Sequence, residues 1–238
     1  MAMSDRASSL AEAARIPWLE PGDRLTRPEF ERRYEAMPHL KKAELVEGIV
    51  YVSTRVRHTS HGQPHASVLG WLGQYRAVTA GVELAAGSTV RLDLDNEVQP
   101  DALLRLEEAR GGRCRVTEDD YLEGPPELVV EVASSSASYD LHAKLGVYRR
   151  SGVQEYVVWR VLEGQIDWFL LEEGEYVRLA PDAAGLLRSR VFPGLWLAVQ
   201  ALLTGDQQAV LATVQEGLAS PEHAAFVQQQ HPADRPSP

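Results

Sequence analysis

A single carboxylate interrupts the most apolar run of the chain, Leu128-Val129-Val130-Glu131-Val132. A short valine-rich run that is apolar on both faces is typical of a central strand buried on both sides of a sheet. An unpaired carboxylate is costly to bury, so Glu131 must be paired, protonated or bound to a metal ion. This run therefore predicts a buried strand that carries a polar site.

The pattern around this strand mixes helices with a strand-rich centre, which predicts an α/β or α+β fold. A helix beginning at Thr26 has Glu29 three residues later, as in a capping box. Strands at 43–46 and 49–52 flank Glu47-Gly48, a hairpin signal. Val68, Leu72 and Tyr75 recur at helical spacing within residues 64–77. The other predicted elements are strands at 82–86, 89–94, 102–106, 155–161, 166–171 and 176–179, a loop at 107–124, and helices at 139–150 and 198–218.

The ends of the chain have a different composition from its centre. Residues 1–22 are rich in Ala and Ser. The segment from Gln228 onward is polar and rich in Pro, and this composition predicts that the C-terminal tail is disordered. We therefore expect an N-terminal arm at 1–24, one domain at 25–205, and a C-terminal helix and tail at 206–238. Because no stretch approaches about 20 apolar residues, we expect a soluble, cytoplasmic protein. The single cysteine, Cys114, excludes an intrachain disulfide and a cysteine-based zinc site.

Two further residues are expected to meet Glu131. Asp101 follows Pro100 at the start of a neighbouring strand, and two carboxylates on adjacent strands can hold Mg²⁺ through their oxygens. Lys144 shares a helical face with Leu141 and Tyr148, so its ammonium is expected on a buried face. It could reach the carboxylates and stabilise a phosphate, or it could snorkel or pair with Asp140.

The order of short motifs resembles the Uma-two family of predicted endonucleases, a branch of the PD-(D/E)XK restriction-endonuclease-like superfamily. The resemblance covers residues 25–205, and each motif is weak by itself whereas the ordered set is strong. The motifs are Thr26 to Phe30, Glu44-Leu45-Val46-Glu47-Gly48, His65, Val98-Gln99-Pro100-Asp101, Gly124 to Val132, Asp140 with Lys144 and Tyr148, Gly152 to Tyr156, and Val191 to Leu195.

The resemblance implies a restriction-endonuclease-like domain with a mixed central sheet flanked by helices. It implies Mg²⁺- or Mn²⁺-dependent hydrolysis of nucleic acid, with DNA as the expected substrate and a homodimer if both strands are cut. In the superfamily, three carboxylates bind the metal and a lysine two residues after the strand carboxylate assists the attacking water. Carried over, the carboxylates are Glu44, Asp101 and Glu131. Ala133 occupies the usual lysine position, so the resemblance implies that Lys144 on the following helix replaces it.

Several alternatives stay open at this point. Glu131 and Lys144 could form a structural ion pair in an interaction protein, and Glu44 could be a solvated hairpin residue. A catalytically inactive nucleic-acid-binding or regulatory relative is the main rival, because the formal net charge of −10 disfavours a broad grip on nucleic acid. The acid-free segment from Arg55 to His65 is either a phosphate-contacting loop or, by preference, an ordinary solvated loop. Its histidines at 58, 61 and 65 match no common zinc spacing.

Overall fold

The computed structural model describes residues 16–53 and 57–230, and within these ranges the chain forms fourteen strands and seven α-helices. The helices are α1 Arg27–Glu35, α2 Gln63–Val78, α3 Ala137–Tyr139, α4 Leu145–Ser151, α5 Val199–Thr204, α6 Gln207–Leu218 and α7 Pro221–Gln230. Two π-helical turns, His58–Gly62 and Asp140–Lys144, lead into α2 and α4. A 3₁₀ turn spans Glu108–Arg110.

The strands divide between two six-stranded sheets and one small hairpin. The first sheet has the order β2-β1-β5-β4-β8-β7, formed by Ile49–Val52, Ala43–Val46, Glu97–Val98, Val90–Arg91, Leu122–Glu123 and Arg115–Val116. The second sheet has the order β12-β11-β10-β9-β6-β3, formed by Glu175–Arg178, Gln165–Glu172, Glu155–Arg160, Leu128–Ala133, Ala102–Leu106 and Val82–Ala85. The hairpin pairs β13, Leu186–Arg188, with β14, Trp196–Ala198.

The predicted mixed α/β architecture is confirmed. In the second sheet, β9 runs parallel to β10 and antiparallel to β6. One face of this sheet packs against α2, α5 and α6 through a core that includes Val130 and Val132. The opposite face packs against the first sheet and α4 through a core that includes Val129 and Ala133. The strand that carries Glu131 is therefore covered on both faces, as its sequence predicts.

The β1–β2 hairpin forms where predicted because its turn residues accept an unusual backbone conformation. Glu47 has φ of 54° and Gly48 has φ of 71°. Positive φ at both central residues is the requirement of the type I′ turn, whose twist matches that of the strands. Glu47 is thus a turn residue and pairs at the surface with Arg150.

Several local predictions were wrong. The predicted capping box does not form: Thr26 precedes α1 but makes no side-chain cap, and Glu29 bonds Arg32 and Arg33. The predicted loop at 107–124 contains β7 and β8, which complete the first sheet. The helix predicted at 198–218 is broken at Gly205, whose φ of 77° ends α5.

The C-terminal segment is more ordered than its composition predicts. After Gly205, Asp206 caps α6 by accepting from Ala209 N at 3.0 Å, and Val210 and Val214 enter the α2 core. Gln228, Gln229 and Gln230 end α7, whereas residues 231–238 of the expected tail lie outside the described ranges, as do residues 1–15 of the expected arm. The domain boundaries at 24 and 205 stay predictions.

Within residues 16–53 and 57–230, none of the helices is both long enough and apolar enough to cross a bilayer.

A buried charge cluster lies in the first sheet, away from Glu131. Glu97 on β5 is buried beside Glu31 of α1, and Arg91 on β4 reaches both: its Nε lies 2.7 Å from Glu31 Oε1 and 3.7 Å from Glu97 Oε2. Burial, together with the neighbouring Glu31, raises the pKa of Glu97 from 4.5 to about 8 against the opposing effect of Arg91 and Arg27. Folding therefore favours the protonated form of Glu97.

Glu97→Gln is expected to reduce the loss of stability between pH 5 and pH 8.5. Because the folded-state pKa of Glu97 lies above its ordinary value, its contribution to stability is complete below pH 4.5 and is lost as the pH rises through about 8. Each pKa unit of such a shift is worth about 1.4 kcal/mol. Urea unfolding at both pH values measures the effect, with the exposed Glu163→Gln as control. An equal difference between Glu97→Gln and wild type at both pH values contradicts the prediction.

Candidate active site

Glu131 lies in the middle of β9 and points towards the first sheet. Along β9, Val130 and Val132 face the α2 core, so the alternation of side chains puts Glu131 on the opposite face with Val129 and Ala133. Its exposed fraction is 3%. The carboxylate is therefore held between the two sheets, where it needs polar partners.

Lys144 supplies the main partner. It ends the π-helical turn Asp140–Lys144, and the extra residue in such a turn rotates the following side chains relative to a regular α-helix. Its Nζ lies 2.8 Å from Glu131 Oε1, 2.8 Å from Glu44 Oε1 and 4.0 Å from Asp140 Oδ1. With an exposed fraction of 2%, Lys144 is buried among three carboxylates.

Tyrosines complete the surroundings of this ion pair. Tyr148, one helical turn after Lys144, donates its hydroxyl to Glu131 Oε1 at 3.0 Å. The Tyr139 ring lies 5.5 Å from Lys144 Nζ and packs on Tyr51 of β2. The Tyr148 ring packs in the core under the sheet, and its hydroxyl fixes one oxygen of Glu131.

Glu44 reaches the site from the first sheet. It lies on β1, where Glu44 and Val46 face the second sheet and Leu45 faces α1. Gln99 N donates to Glu44 Oε1 at 2.7 Å. The side chain of Gln99 turns away to Tyr34 and Ala43, so only its backbone belongs to the site.

Asp101 stands where the chain crosses from the first sheet to the second, between β5 and β6. Continuing the β6–β9 register by one residue beyond Ala102 and Val130 puts Asp101 opposite Glu131, and opposite residues in antiparallel strands point to the same face. Its Oδ2 accepts from Val132 N at 2.8 Å. The strand predictions for 102–106 and 128–132 thus bring the two carboxylates side by side.

Three basic side chains surround Asp101. His61 Nε2 lies 3.2 Å from Asp101 Oδ2, and Lys42 Nζ lies 3.7 Å from Asp101 Oδ1. His65, at the start of α2, donates from Nε2 to the Asp101 carbonyl oxygen at 2.8 Å. Burial alone raises the pKa of Asp101, but His61, Lys42 and Val132 N outweigh it and lower the pKa to about 2. The bond to Asp101 in turn raises the pKa of His61.

The deeper half of the site has more negative than positive charge. Burial raises the pKa of Glu131 to about 8; Lys144 opposes this shift, and Asp101, Asp140 and Glu44 add to it. The pKa of Asp140 is also raised, mainly by burial. Burial lowers the pKa of Lys144, yet the three carboxylates dominate and hold it well above its ordinary value. With one ammonium among three acidic groups, the excess is relieved either by protons, as these raised pKa values show, or by a further cation.

The donor set suits a divalent ion in its chemistry but is not assembled around one point. Glu44, Asp101 and Glu131 offer carboxylate oxygens, the ligands that Mg²⁺ and Mn²⁺ prefer. Among the described residues, however, no group of three or more His, Cys, Asp or Glu side chains is arranged to hold a metal ion. Glu44 and Glu131 turn an oxygen towards Lys144, so these carboxylates must reorient to share an ion.

The structure therefore brings Glu44, Glu131 and Lys144 into direct contact and puts Asp101 on the adjacent strand. Sequence reasoning did not identify Lys42 or assign a partner to His61. The acid-free segment was the available signal for His61. Its residues 55–56 lie outside the described ranges, and residues 58–65 form the π-helical turn and the start of α2. His61 and His65 serve Asp101, and Asp140 lies beside Lys144 as one of its predicted partners.

Comparisons with known proteins agree with this arrangement of elements. The family model described as "Uma2: Putative restriction endonuclease" matches residues 27–200. Among solved structures, the chain is similar to one described as a putative nuclease belonging to DUF820 from Anabaena variabilis ATCC 29413. The TM-score is 0.55 at 12% identity, over 73% of this chain and 96% of that chain. At this identity the likeness shows a shared fold. The chain matches none of the curated proteins with which it was compared.

The family match includes every residue of the site, from Lys42 on the approach to β1 to Tyr148 on α4. The match extends over well more than half of the chain. The motifs from Glu44 to Lys144, taken in sequence order, supply the residues that come together in the site. The chain belongs to the Uma2 family of restriction-endonuclease-like proteins.

Proposed function

We propose that this protein is a metal-dependent endonuclease that hydrolyses phosphodiester bonds of DNA. Membership of the Uma2 family supports a nuclease, and the similar Anabaena protein is also described as one. The observation that carries the proposal is the contact of Lys144 Nζ with both Glu44 Oε1 and Glu131 Oε1 at 2.8 Å, beside Asp101 on the neighbouring strand. Four residues from separate elements thus form one charged site.

In this proposal, Glu44, Asp101 and Glu131 hold Mg²⁺ or Mn²⁺. Such an ion, when bound, supplies Lewis-acid charge and a more acidic water at neutral pH. Lys144 holds Glu44 and Glu131 at a fixed separation and supplies positive charge beside the carboxylates that would hold the ion. Tyr148 fixes the orientation of Glu131. A homodimer, which two cuts in a duplex require, stays a prediction.

A nucleic-acid-binding or regulatory protein that does not cut is the second candidate. It is favoured by the engagement of Glu44 and Glu131 with Lys144 and by the formal net charge of −10. In such a protein, Lys144 permanently neutralises the carboxylates that would otherwise hold the metal ion. The two candidates differ in cleavage, so one set of measurements separates them.

We expect Mg²⁺ or Mn²⁺ to raise the melting temperature of the wild type and to raise that of Asp101→Asn much less. An ion at 100 times its Kd stabilises a protein by about 2.7 kcal/mol, and Asp101→Asn removes a charged ligand. Asp95→Asn, an exposed acid on the turn after β4, is the matched control and should respond like the wild type. The readouts are a thermal melt over a metal titration and cleavage of supercoiled plasmid, single-stranded DNA and RNA.

Each outcome selects one interpretation. A metal-dependent shift with cleavage of DNA supports the proposal, whereas a shift with nucleic-acid binding and no cleavage supports the second candidate. Cleavage of RNA alone corrects the substrate. The proposal of a metal-dependent nuclease is overturned if both ions fail to shift the melting temperature and no cleavage is detected.

A further inference from the structure

Lys144 is poorly placed to bind a substrate phosphate. Its exposed fraction is 2%, one N–H donates to Glu131 Oε1 at 2.8 Å, and the ammonium forms an ion pair with Glu44 Oε1, also at 2.8 Å. If the ammonium turned outward, those buried carboxylates would lose their partner, and an unpaired buried charge costs much free energy. The positive charge that meets an incoming phosphate must therefore come from another residue.

Lys42 lies where the site opens to solvent. It precedes β1, two residues before Glu44, so both side chains fall on the same side of the extended chain. Its side chain is 29% exposed, and its Nζ approaches Asp101 Oδ1 at 3.7 Å. At that distance the two groups form an ion pair but not a hydrogen bond. The ammonium can therefore bond an arriving anion without first breaking a hydrogen bond to Asp101.

Asp101 holds Lys42 at this opening. Val132 N and His61 Nε2 both bond Asp101 Oδ2, which leaves Oδ1 directed at Lys42. The ammonium is thereby kept beside Asp101, which the proposal assigns to the metal. The scissile phosphate must lie at the same place, next to the metal. Lys42 is thus preorganised for an anion before any substrate arrives.

The local charge favours a phosphate at the same opening. No Asp or Glu occurs between Glu47 and Glu83, although the chain has 34 acidic residues. Arg57, directly before the π-helical turn that brings His61 to Asp101, and His58, its first residue, are both exposed. A basic edge therefore adjoins Lys42 on a protein whose overall charge repels nucleic acid.

We propose that Lys42 is a substrate-binding residue that contacts a backbone phosphate of the nucleic acid, while Lys144 stays with its carboxylates. This inference rests on the proposed function, and it assigns to a rim lysine the phosphate contact that the residue pattern alone suggested for Lys144. The adjacent Lys41 is exposed, which provides a matched control at the next position.

The test is the affinity of the full-length protein for a fluorescein-labelled DNA duplex, measured by fluorescence anisotropy in EDTA over a range of salt. We expect Lys42→Gln to weaken binding about tenfold and to reduce the salt slope by about 0.9, the value of one phosphate contact. Lys42→Arg should retain most of the affinity, and Lys41→Gln should bind within about twofold of the wild type. Thermal melts verify that each variant is folded at the temperature of the assay.

The outcomes separate this inference from the proposed function. Equal affinities and slopes for Lys42→Gln and wild type overturn the role of Lys42 and leave the nuclease proposal standing. Equal losses for Lys41→Gln and Lys42→Gln also overturn it, because they indicate a diffuse charge effect. A wild type that does not bind DNA overturns both the inference and the DNA substrate.

Discussion

Lys144→Met is expected to lower the free energy of unfolding by about 3–5 kcal/mol at pH 7, the usual cost of removing one partner from a buried ion pair. The methionine fills most of the space of the lysine, but Glu44, Glu131 and Asp140 then lack the ammonium that lies within 2.8–4.0 Å of them. The loss comes from carboxylates that are buried without compensation. Urea unfolding of wild type and variant measures it.

The same variant should recover stability in acid. Burial already raises the pKa of Glu131 to about 8 with Lys144 present, and removal of the ammonium favours protonation further. Since the neutral carboxyl groups are less costly to bury, the deficit of Lys144→Met should be smaller at pH 5 than at pH 8. A deficit that does not change with pH contradicts the charge-based explanation.

Two controls isolate the buried contact. Lys42→Met removes an ammonium at the rim, where solvent screens the pair, and should cost less than about 1 kcal/mol. Lys144→Met combined with Glu131→Gln should be less destabilised than the sum of the two single variants, because the residues share one interaction. Additive losses contradict a direct coupling between Lys144 and Glu131.

The second large effect concerns catalysis and the position of the lysine. If the protein is a nuclease, Lys144→Ala should lower cleavage about 10²–10⁴-fold, the range for removing one group that stabilises charge or moves a proton. Ala133 lies two residues after Glu131 on the same face of β9. The double variant Lys144→Ala with Ala133→Lys should therefore cleave at least about tenfold faster than Lys144→Ala alone, because the new ammonium approaches the same carboxylate. Single-turnover cleavage is the measurement.

An apolar substitution of the same size is the control for this exchange. Lys144→Ala with Ala133→Met fills the vacated space without adding charge and should stay inactive. Equal activity in the Met and Lys versions shows that packing, and not the ammonium, limits cleavage. Full activity in Lys144→Ala alone contradicts a catalytic role for Lys144.

Local features of the fold could be predicted because they depend on neighbours along the chain. The positive φ of Glu47 and Gly48 follows from a two-residue turn between two β-rich runs. The break at Gly205 was predictable in the same way but was missed, because apolar residues continue on both sides of it. The strands β7 and β8 were missed because each pairs for only two residues and has no period-two pattern long enough to detect.

The division of the strands between two sheets could not be predicted from such patterns. β5 and β6 follow one another with three residues between them, yet they belong to different sheets. Gln99, Pro100 and Asp101 make the crossing. The N–H of Gln99 therefore bonds Glu44 in the first sheet, whereas the Asp101 carboxylate bonds the backbone N–H of Val132, next to Glu131, in the second. Only the packing of one sheet on the other decides that these groups face each other.

By itself, the sequence determined that Glu131 is buried and needs a partner, because a carboxylate inside an apolar strand has a high solvation cost wherever that strand lies. It also identified Asp101 and Lys144 as candidates through their positions on adjacent elements. The tertiary structure alone decided which groups touch: Gln99 with Glu44 across 55 residues, and His61 with Asp101 across 40. Such contacts depend on strand register and sheet packing, which set distances to a fraction of an ångström, whereas sequence patterns specify only the face on which a side chain lies.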